Sequence, residues 1–300
     1  MLEKLNLAYT IISSLEPITD LVDMTYINAK GSKIQDLYPV RDLIKLEYLD
    51  ASVTKIETIE ALSDLDNLKK LNIDSTNIQS LVALNELKSI QIIYCDRTSI
   101  TMPEVIEFNK LQPECLVIFQ STELIDWWKG LSDAWKDVFS QATEVNNPPS
   151  KIELHKVATL TELDLNNNKS IQSLAPIAGF MHLKMLKLSH TQIADLSPLG
   201  DLNQIESLEF ANNPISDLYP ISNLENLKHL DMRNTPVESL EPLQYLTQLE
   251  SLNASGTPIK NLKILANLVN LKRLSIYNTK VNNLKPLVTL IKLEHLECYN

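Results

Sequence analysis

A period of 22 residues runs through most of the chain, and it limits the possible folds more than any other feature of the sequence. Apolar residues mark the repeat starts at Leu2, Met24, Leu46, Leu68 and Ile90, and again at Leu183, Ile205, Leu227, Leu249, Leu271 and Leu293. A further repeat starts at Leu160, one residue out of phase because of an extra residue near Lys169-Ser170. A repeat of this length cannot bury its apolar side alone, so stacked neighbours must share a core.

Each repeat follows the pattern L-x-x-L-x-L-x-x-T-x-I-x-x-L-x-P-L-x-x-L-x-x. The opening L-x-L alternates with period two, which predicts a short strand with one buried face. Apolar residues spaced by three in the second half favour a 3₁₀ turn or an extended segment. Proline recurs there, where no ladder N–H is needed, at Pro17, Pro39, Pro198, Pro220, Pro242 and Pro286. Parallel strands are expected near 4–7, 26–29, 48–51, 70–73, 92–95, 162–165, 185–188, 207–210, 229–232, 251–254, 273–276 and 295–298.

The segment from Thr191 to Leu199, T-x-I-x-D-L-x-P-L, resembles the 22-residue leucine-rich-repeat class found in internalins and in the phosphatase-regulating repeat subunit of eukaryotes. The resemblance extends over nearly the whole chain outside residues 120–155. It implies an α/β solenoid, a right-handed superhelix with a concave parallel sheet, in two blocks joined by a helix. Such a fold, with no cofactor signature in the sequence, predicts a non-enzymatic module that binds a protein partner through the concave face. The resemblance to internalins implies a bacterial surface or secreted adhesion protein, and the resemblance to the phosphatase-regulating subunit implies an intracellular scaffold instead.

The ninth position of the repeat holds a short polar residue almost throughout, as in Thr54, Thr76, Thr191 and Thr235. Such a side chain can bond the backbone where the chain leaves the strand. A row of nucleophilic hydroxyls is the alternative, but no base stands beside them. A structural ladder is therefore expected.

The repeats are interrupted between residues 101 and 158. Thr101 to Glu104 fits a capping box that opens a helix, and Cys115 to Phe119 is predicted to form a buried closing strand. Thr122 to Ala142 is a candidate amphipathic helix, with apolar side chains at spacings of three and four. Trp128, Leu131 and Trp135 of this helix are expected to lie buried against the first strands of the second block and to cover its open end, with partner binding as the alternative. The expected domains are a block at 1–121, a helical linker at 122–158 and a second block at 159–300.

Positions 3, 5 and 7 of each repeat should point outward from the sheet. Tyrosine and arginine are favoured at interface hot spots, so exposed tyrosine, histidine and arginine in neighbouring repeats are candidates for partner binding. The solvated polar face is the competing interpretation. The candidates in the first block are Tyr26, Tyr48, Ile92 and Tyr94, and those in the second are His229, Arg233, Arg273, Tyr277, His295 and Tyr299.

Composition argues against several other functions. A net charge of -11 disfavours a broad nucleic-acid-binding face. The five glycines form no phosphate-binding pattern, and their scarcity suggests turns with few positive-φ residues. Cys95, Cys115 and Cys298 show neither a disulfide framework nor a metal-ligand spacing, and Cys95 and Cys298 fall on the inward sixth position. No cofactor is expected.

Catalytic and metal sites can be drawn but are not favoured. His229 and Asp231 lie on one strand, and Ser207 or Ser251 could complete a triad, yet no nucleophile turn or oxyanion loop is present in the sequence. His229 and His295 are three strand gaps apart, roughly 14 Å, which is too far to share one ion. No catalytic and no metal residues are therefore assigned.

The sequence leaves the compartment open. No apolar run reaches membrane-spanning length, and the first residues lack the apolar core of a signal peptide. The protein is expected to be cytoplasmic, or secreted or bound to the cell surface if processed. The repeats that start at Leu2 and Leu293 show no cap, which predicts either a segment of a longer repeat protein or end-to-end self-association.

Overall fold

The computed structural model describes residues 2–299, and the repeats form two parallel sheets. The first sheet contains β1 (Lys4–Asn6), β2 (Tyr26–Asn28), β3 (Tyr48–Asp50), β4 (Lys70–Asn72), β5 (Ile92–Tyr94) and β6 (Leu116–Ile118). The second contains β7 (Glu162–Asp164), β8 (Met185–Lys187), β9 (Ser207–Glu209), β10 (His229–Asp231), β11 (Ser251–Asn253), β12 (Arg273–Ser275) and β13 (His295–Glu297). Every predicted strand is present. The strands of the repeats are each one residue shorter than expected, and the closing strand β6 is two residues shorter.

Strands pair in chain order, and the sequence period sets their register. Within most pairs the partner residues are 22 positions apart, as for Tyr26 and Tyr48. Ile92 pairs with Leu116, because helix α1 (Met102–Leu111) replaces the usual second half of that repeat. Glu162 pairs with Met185, which confirms the predicted extra residue.

When the repeats stack, apolar residues at the same position of successive repeats form a buried column. The central strand residues Ile27, Leu49, Leu71 and Ile93 are fully buried in the first sheet, and Leu186 and Leu208 are fully buried in the second. Each fully buried leucine or isoleucine stabilises the fold by about 1.5–3 kcal/mol through removal of apolar surface from water. The short strands are therefore held mainly by the apolar side chains beneath them.

Ten of the repeats carry one 3₁₀ segment in their second half, as predicted. Most of these segments have proline in their first turn, where the missing N–H would have no partner within the segment. They span Glu16–Ile18, Tyr38–Val40, Glu60–Leu62, Val82–Leu84, Ala175–Ile177, Ser197–Leu199, Tyr219–Ile221, Glu241–Leu243, Lys263–Asn267 and Lys285–Thr289.

The residue at position 8 of the repeats, from Tyr9 in the first to Asn278, adopts the left-handed backbone conformation, with φ between 52° and 70°. Only Gly31 and Gly256 are glycines there, so the expectation of few positive-φ turns is wrong. The reason is tertiary. The N–H of position 8 donates to a carbonyl of the next repeat, as Val53 does to Asp74 at 2.8 Å. This ladder fixes the turn whatever the side chain.

Position 9 forms the predicted structural ladder. The Thr54 hydroxyl donates to the Ala51 carbonyl at 2.6 Å, and the Thr76 and Thr235 hydroxyls make the equivalent bonds at 2.7 Å. Each satisfies a backbone carbonyl three residues earlier, where the chain leaves the strand. Ser32 departs from this pattern, since its buried Oγ has no hydrogen-bond partner among the described residues.

The chain folds into two compact units. Unit 1 comprises the residues up to Asp126 together with Pro149–His155, and unit 2 comprises Trp127–Pro148 together with the residues from Lys156 onward. The domain limits expected from the sequence stay a prediction.

Unit 1 ends in the predicted cap. Helix α1 begins with a capping box in which the Glu104 carboxylate accepts from the Thr101 N–H at 3.2 Å. Val105 and Phe108 on this helix are buried, and β6 closes the sheet as expected. The buried His155 adds a further contact, because its Nε2 accepts from the Phe119 N–H at 2.9 Å.

The predicted single helix from Thr122 to Ala142 is wrong in its continuity. The structure has two helices in its place, α2 (Ser121–Gly130) and α3 (Asp133–Thr143). The short helix that the capping box at Ser150–Glu153 predicts is present as α4 (Lys151–Ala158). The Ser132 hydroxyl accepts the Trp135 N–H at 3.4 Å and starts α3. Ser132 lies within the run of apolar side chains that predicts one helix, and as the N-cap of α3 it starts a second helix after α2 ends at Gly130.

Trp128 and Trp135 are buried, as predicted, and Trp127 is half-buried. Trp128 and Trp135 are 7% and 4% exposed. Within unit 2, the Trp135 indole donates to the Ser173 carbonyl at 3.2 Å and the Trp127 indole to the Pro176 carbonyl at 3.0 Å. The hydrogen-bonded partners belong to the segment that follows β7 rather than to the strands named in the prediction. α3 thus covers the first repeat of unit 2.

Candidate functional site

The outward residues at positions 3, 5 and 7 of the five repeats of unit 1, from Lys4 to Asp96, form its candidate surface, which we call the tyrosine face. Tyr26 and Tyr48 occupy position 3 of neighbouring repeats and are partners in the sheet register. Their rings stack with centroids 4.5 Å apart and planes 5° from parallel. Both side chains are half-buried. The strand spacing of about 4.8 Å brings equivalent aromatic side chains into face-to-face contact.

Lys70 extends this stack. Its ammonium lies 5.6 Å from the Tyr48 ring centroid and 5.1 Å from the Tyr94 ring centroid. Both distances allow cation–π attraction. Ile92 is the register partner of Lys70 and is half-buried. The structure therefore places all four predicted residues of unit 1 on one surface, and adds Lys70 as the link between Tyr48 and Tyr94.

Asp50 lies under this surface and shapes its electrostatics. Its Oδ1 accepts from the Ser52 N–H at 2.9 Å and from the Ser52 hydroxyl at 2.6 Å, and its Oδ2 accepts from the Asn72 amide at 3.3 Å. Burial, and then the negative charge of Asp50, raise the pKa of Tyr48 to about 12. Tyr48 therefore keeps its proton at any physiological pH.

A carboxylate pair follows at position 7. The Asp74 Oδ1 accepts from the Asp96 N–H at 2.7 Å, and the Asp96 Oδ1 accepts from the Ser121 N–H at 2.8 Å. Burial raises the pKa of Asp74. Burial also acts to raise the pKa of Asp96, but the hydrogen bonds from Lys151 and Ser121 outweigh it and the pKa is lowered. Asp96 is thus held ionised inside unit 1.

The candidate residues of unit 2 come together only in part. Tyr277 and Tyr299 stack with ring centroids 5.0 Å apart and planes 3° from parallel. Arg273 and His295 are register partners on adjacent strands, and both are exposed.

His229 and Arg233 lie further along the same sheet. Ser251 separates His229 from Arg273 in the register, and β11 lies between the strands that precede Arg233 and Tyr277. The Arg233 guanidinium pairs with Asp231 at 2.8 Å. The structure therefore brings together Tyr277 with Tyr299 and Arg273 with His295, and it places His229 and Arg233 apart from these pairs.

Two residues that were not predicted from the sequence contribute to these surfaces. Lys70 occupies an outward position but is not aromatic, and its contact with the rings of Tyr48 and Tyr94 depends on the direction of its side chain. Tyr9 is 72% exposed, and its ring lies against Gly31, where an added Cβ would come within 2.6 Å of the ring. The signal for Tyr9 is the pairing of an aromatic residue and a glycine at position 8 of consecutive repeats.

The chemistry of the described residues offers no metal centre. No group of three or more histidine, cysteine, aspartate or glutamate side chains among residues 2–299 is placed to hold a metal ion. Asp231 is engaged by Arg233, as described above, rather than by His229. No helix in the described part of the chain is long and apolar enough to cross a membrane.

The cysteines differ from expectation at one position. Cys95 and Cys115 are buried, and burial raises the pKa of both thiols. Cys298 is exposed, although the repeat pattern predicts an inward side chain. β13 is the edge strand of its sheet, so no further repeat among the described residues packs beside Cys298.

A family model and several solved structures are similar to this chain. The family model, described as leucine-rich repeats (two copies), matches residues 158–201 and 203–245. An internalin (InlF) of Listeria monocytogenes is 22% identical with a TM-score of 0.46, covering 100% of this chain and 87% of that one. Internalin C2 of the same organism is 22% identical with a TM-score of 0.43, covering 86% and 83%. A leucine-rich-repeat protein of Leptospira interrogans is 21% identical with a TM-score of 0.44, covering 99% and 72%. No curated protein matches the sequence.

Proposed function

We propose that this chain, which is a leucine-rich-repeat protein, acts as a protein-interaction module whose outward sheet faces bind a protein partner. The observation that carries the proposal is the tyrosine face of unit 1. There the stacked rings of Tyr26 and Tyr48 continue through Lys70 to Tyr94. A solvated face has no need of aromatic rings packed on one another, whereas interface hot spots are rich in tyrosine.

The stacking also lowers the cost of binding. A side chain that a partner must immobilise costs about 0.5–1.5 kcal/mol of rotamer entropy. Tyr26 and Tyr48 already hold each other nearly parallel, so less of this entropy remains to be lost. The Tyr277 and Tyr299 stack, together with exposed Arg273, gives unit 2 a second surface of the same kind.

A peptide-display selection on the full chain tests this proposal. Peptides enriched from a random library should bind the wild-type protein and lose about tenfold or more in affinity on Tyr94→Ala or Tyr277→Ala, the size expected for a hot-spot residue. Tyr245→Ala is the matched control, because Tyr245 is 69% exposed and lies beyond the 3₁₀ segment rather than on the sheet face. Circular dichroism verifies that each variant is folded.

Two results would overturn the proposal. If the enriched peptides respond to Tyr245→Ala and not to either sheet-face variant, binding occurs elsewhere on the chain. If no peptide is enriched on the folded protein, the sheet faces are solvated surfaces.

Self-association is a second candidate, favoured by exposed apolar side chains near the last repeat. Val288 and Ile291 are 81% and 88% exposed, and Leu296 is 40% exposed. Covering this patch with a second copy would remove apolar area from water at about 25 cal/mol per Å². We expect sedimentation to show a concentration-dependent dimer that Leu296→Glu abolishes and that Val82→Glu, at a site 71% exposed in unit 1, leaves intact. A monomer at all concentrations would contradict this candidate.

A further inference from the structure

We infer that the tyrosine face of unit 1 binds an acidic segment of its protein partner, with Lys70 as the central contact. This inference rests on the proposed function and adds the chemistry of the partner. It runs against the net charge of -11, which by itself would point to a basic partner. The charges of unit 1 that are accessible, rather than the total charge of the chain, decide which partner fits.

Two carboxylates on this face, those of Asp50 and Asp96, already accept hydrogen bonds from donors within unit 1. Asp50 is buried and accepts three hydrogen bonds from Ser52 and Asn72. Asp96 is buried and is bonded by the Ser121 N–H and the Lys151 ammonium. Buried charges that already have hydrogen-bonded partners present little attraction to a protein arriving from solvent.

Asp74 is the remaining carboxylate of the face. It is half-buried, and one of its oxygens accepts the Asp96 N–H at 2.7 Å. Burial raises the pKa of Asp74, and the Asp96 N–H occupies one of its oxygens. Asp74 therefore attracts a basic partner less than a fully exposed carboxylate would.

The ammonium groups on the same face are not satisfied. Among the described residues, no carboxylate lies within ion-pair distance of Lys4, Lys30 or Lys70. Lys30 lies 5.9 Å from the Tyr9 ring, and Lys70 lies between two tyrosine rings. Away from the sheet face, by contrast, Lys45 pairs with Asp23 and Lys88 with Asp66.

The accessible charge of the tyrosine face is therefore positive. A partner carboxylate at Lys70 would form a charge-assisted bond beside aromatic rings that exclude water, which strengthens such a pair. The ammonium is already partly removed from water by the rings, so part of its desolvation cost is met before binding. A basic segment would instead be repelled by the unpaired ammonium groups of Lys4, Lys30 and Lys70.

The test uses the full chain and three fluorescent peptides of equal length. They share the same tyrosines and differ only in carrying glutamate, glutamine or lysine at the remaining positions. Fluorescence anisotropy should show the glutamate peptide binding about tenfold or more tightly than the other two, as charge complementarity predicts. Lys30→Gln combined with Lys70→Gln should remove this preference, and Lys70→Arg should retain it.

Lys45→Gln combined with Lys88→Gln is the matched control, because it makes the same change in net charge at two exposed pairs that contribute little to stability. If the control reduces glutamate-peptide binding as much as the sheet-face double variant, or if the lysine peptide binds most tightly, the inference is overturned. If all three peptides bind equally and Tyr94→Ala weakens each, the inference fails while the proposed function stands. If neither Tyr94→Ala nor Tyr277→Ala affects the binding of any of the three peptides, both the inference and the proposed function fail.

Discussion

Among single residues, those at the left-handed turn of position 8 adopt the most demanding conformation in the chain. Asparagine and glycine tolerate it, and they occupy several repeats of unit 2. Unit 1 places Val53 there with φ 57°, and a β-branched side chain in this region is sterically strained. The strain persists because the Val53 N–H is fixed by the Asp74 carbonyl.

Val53→Asn should therefore stabilise unit 1. The left-handed conformation costs an ordinary residue roughly 1–2 kcal/mol, and asparagine relieves much of it. We expect urea unfolding to show a free energy of unfolding higher by about 1 kcal/mol. Val22→Asn is the control, because Val22 has a similar exposure of 48%, against 46% for Val53, without a positive φ. An equal gain in the control, or no gain at Val53, would refute this interpretation of the turn.

Gly256→Ala tests the same turn from the opposite side. Its φ of 70° is unfavourable for alanine, and an added Cβ would lie 2.1 Å from the Asn234 Oδ1. Moving Asn234 would break its bond to the Asn212 Oδ1 at 2.9 Å. We expect a loss of about 1–2 kcal/mol in unfolding free energy. Gly179→Ala, whose Cβ meets no atom within 4 Å, should change it by less than about 0.5 kcal/mol.

Among the elements, helix α3 decides how unit 2 is closed. Trp135 stacks on Phe139 with centroids 5.1 Å apart, and Phe139 contacts Phe180 at 5.5 Å. Phe180 belongs to the first repeat, so the aromatic cluster joins the helix to the solenoid. A cap of this kind keeps the apolar side of the terminal repeat from water.

Trp135→Ala should destabilise unit 2 by about 3–5 kcal/mol, the usual cost of removing a buried large aromatic side chain. Trp135→Phe keeps most of the apolar contact but loses the bond to the Ser173 carbonyl, and should cost about 1 kcal/mol. Circular dichroism in urea measures both. A loss below about 1 kcal/mol for the alanine variant would mean that α3 is not part of the cooperative fold of unit 2.

Across the whole molecule, the three cysteines report which parts of the chain are open to solvent. Cys95 and Cys115 lie in the core of unit 1, and Cys298 lies exposed on the edge of unit 2. Burial raises the pKa of Cys115 to about 12, so little of the reactive thiolate forms at neutral pH. The repeat period treats Cys95 and Cys298 alike, but their surroundings differ.

A maleimide reagent should therefore label one thiol in each native chain, at Cys298. The Cys298→Ser variant should remain unlabelled until urea opens unit 1, after which Cys95 and Cys115 react. Intact-mass measurement counts the labels at each urea concentration. Rapid labelling of the native Cys298→Ser protein would contradict the closed core described for unit 1.

The 22-residue period alone was enough to predict the repeats, the strand positions and the outward columns, because it sets which side chains meet when repeats stack. The tyrosines of the candidate face follow from that period. Other features depend on contacts between neighbouring repeats, which no local pattern records. The left-handed turns are imposed by the hydrogen bonds that their N–H groups donate to carbonyls of the next repeat. Lys70 joins Tyr48 to Tyr94 only through the direction of its side chain.

The break between α2 and α3 has the same origin. Their apolar side chains continue at helical spacing through residue 131, yet Ser132 caps a second helix that brings Trp135 to Ser173 and Phe139 to Phe180. Satisfying the indole N–H and packing the rings on the first repeat outweighs the bonds that an unbroken helix would keep. Local periodicity thus specifies the elements of each repeat, whereas long-range packing decides the terminal helices and which charges of the sheet face remain free.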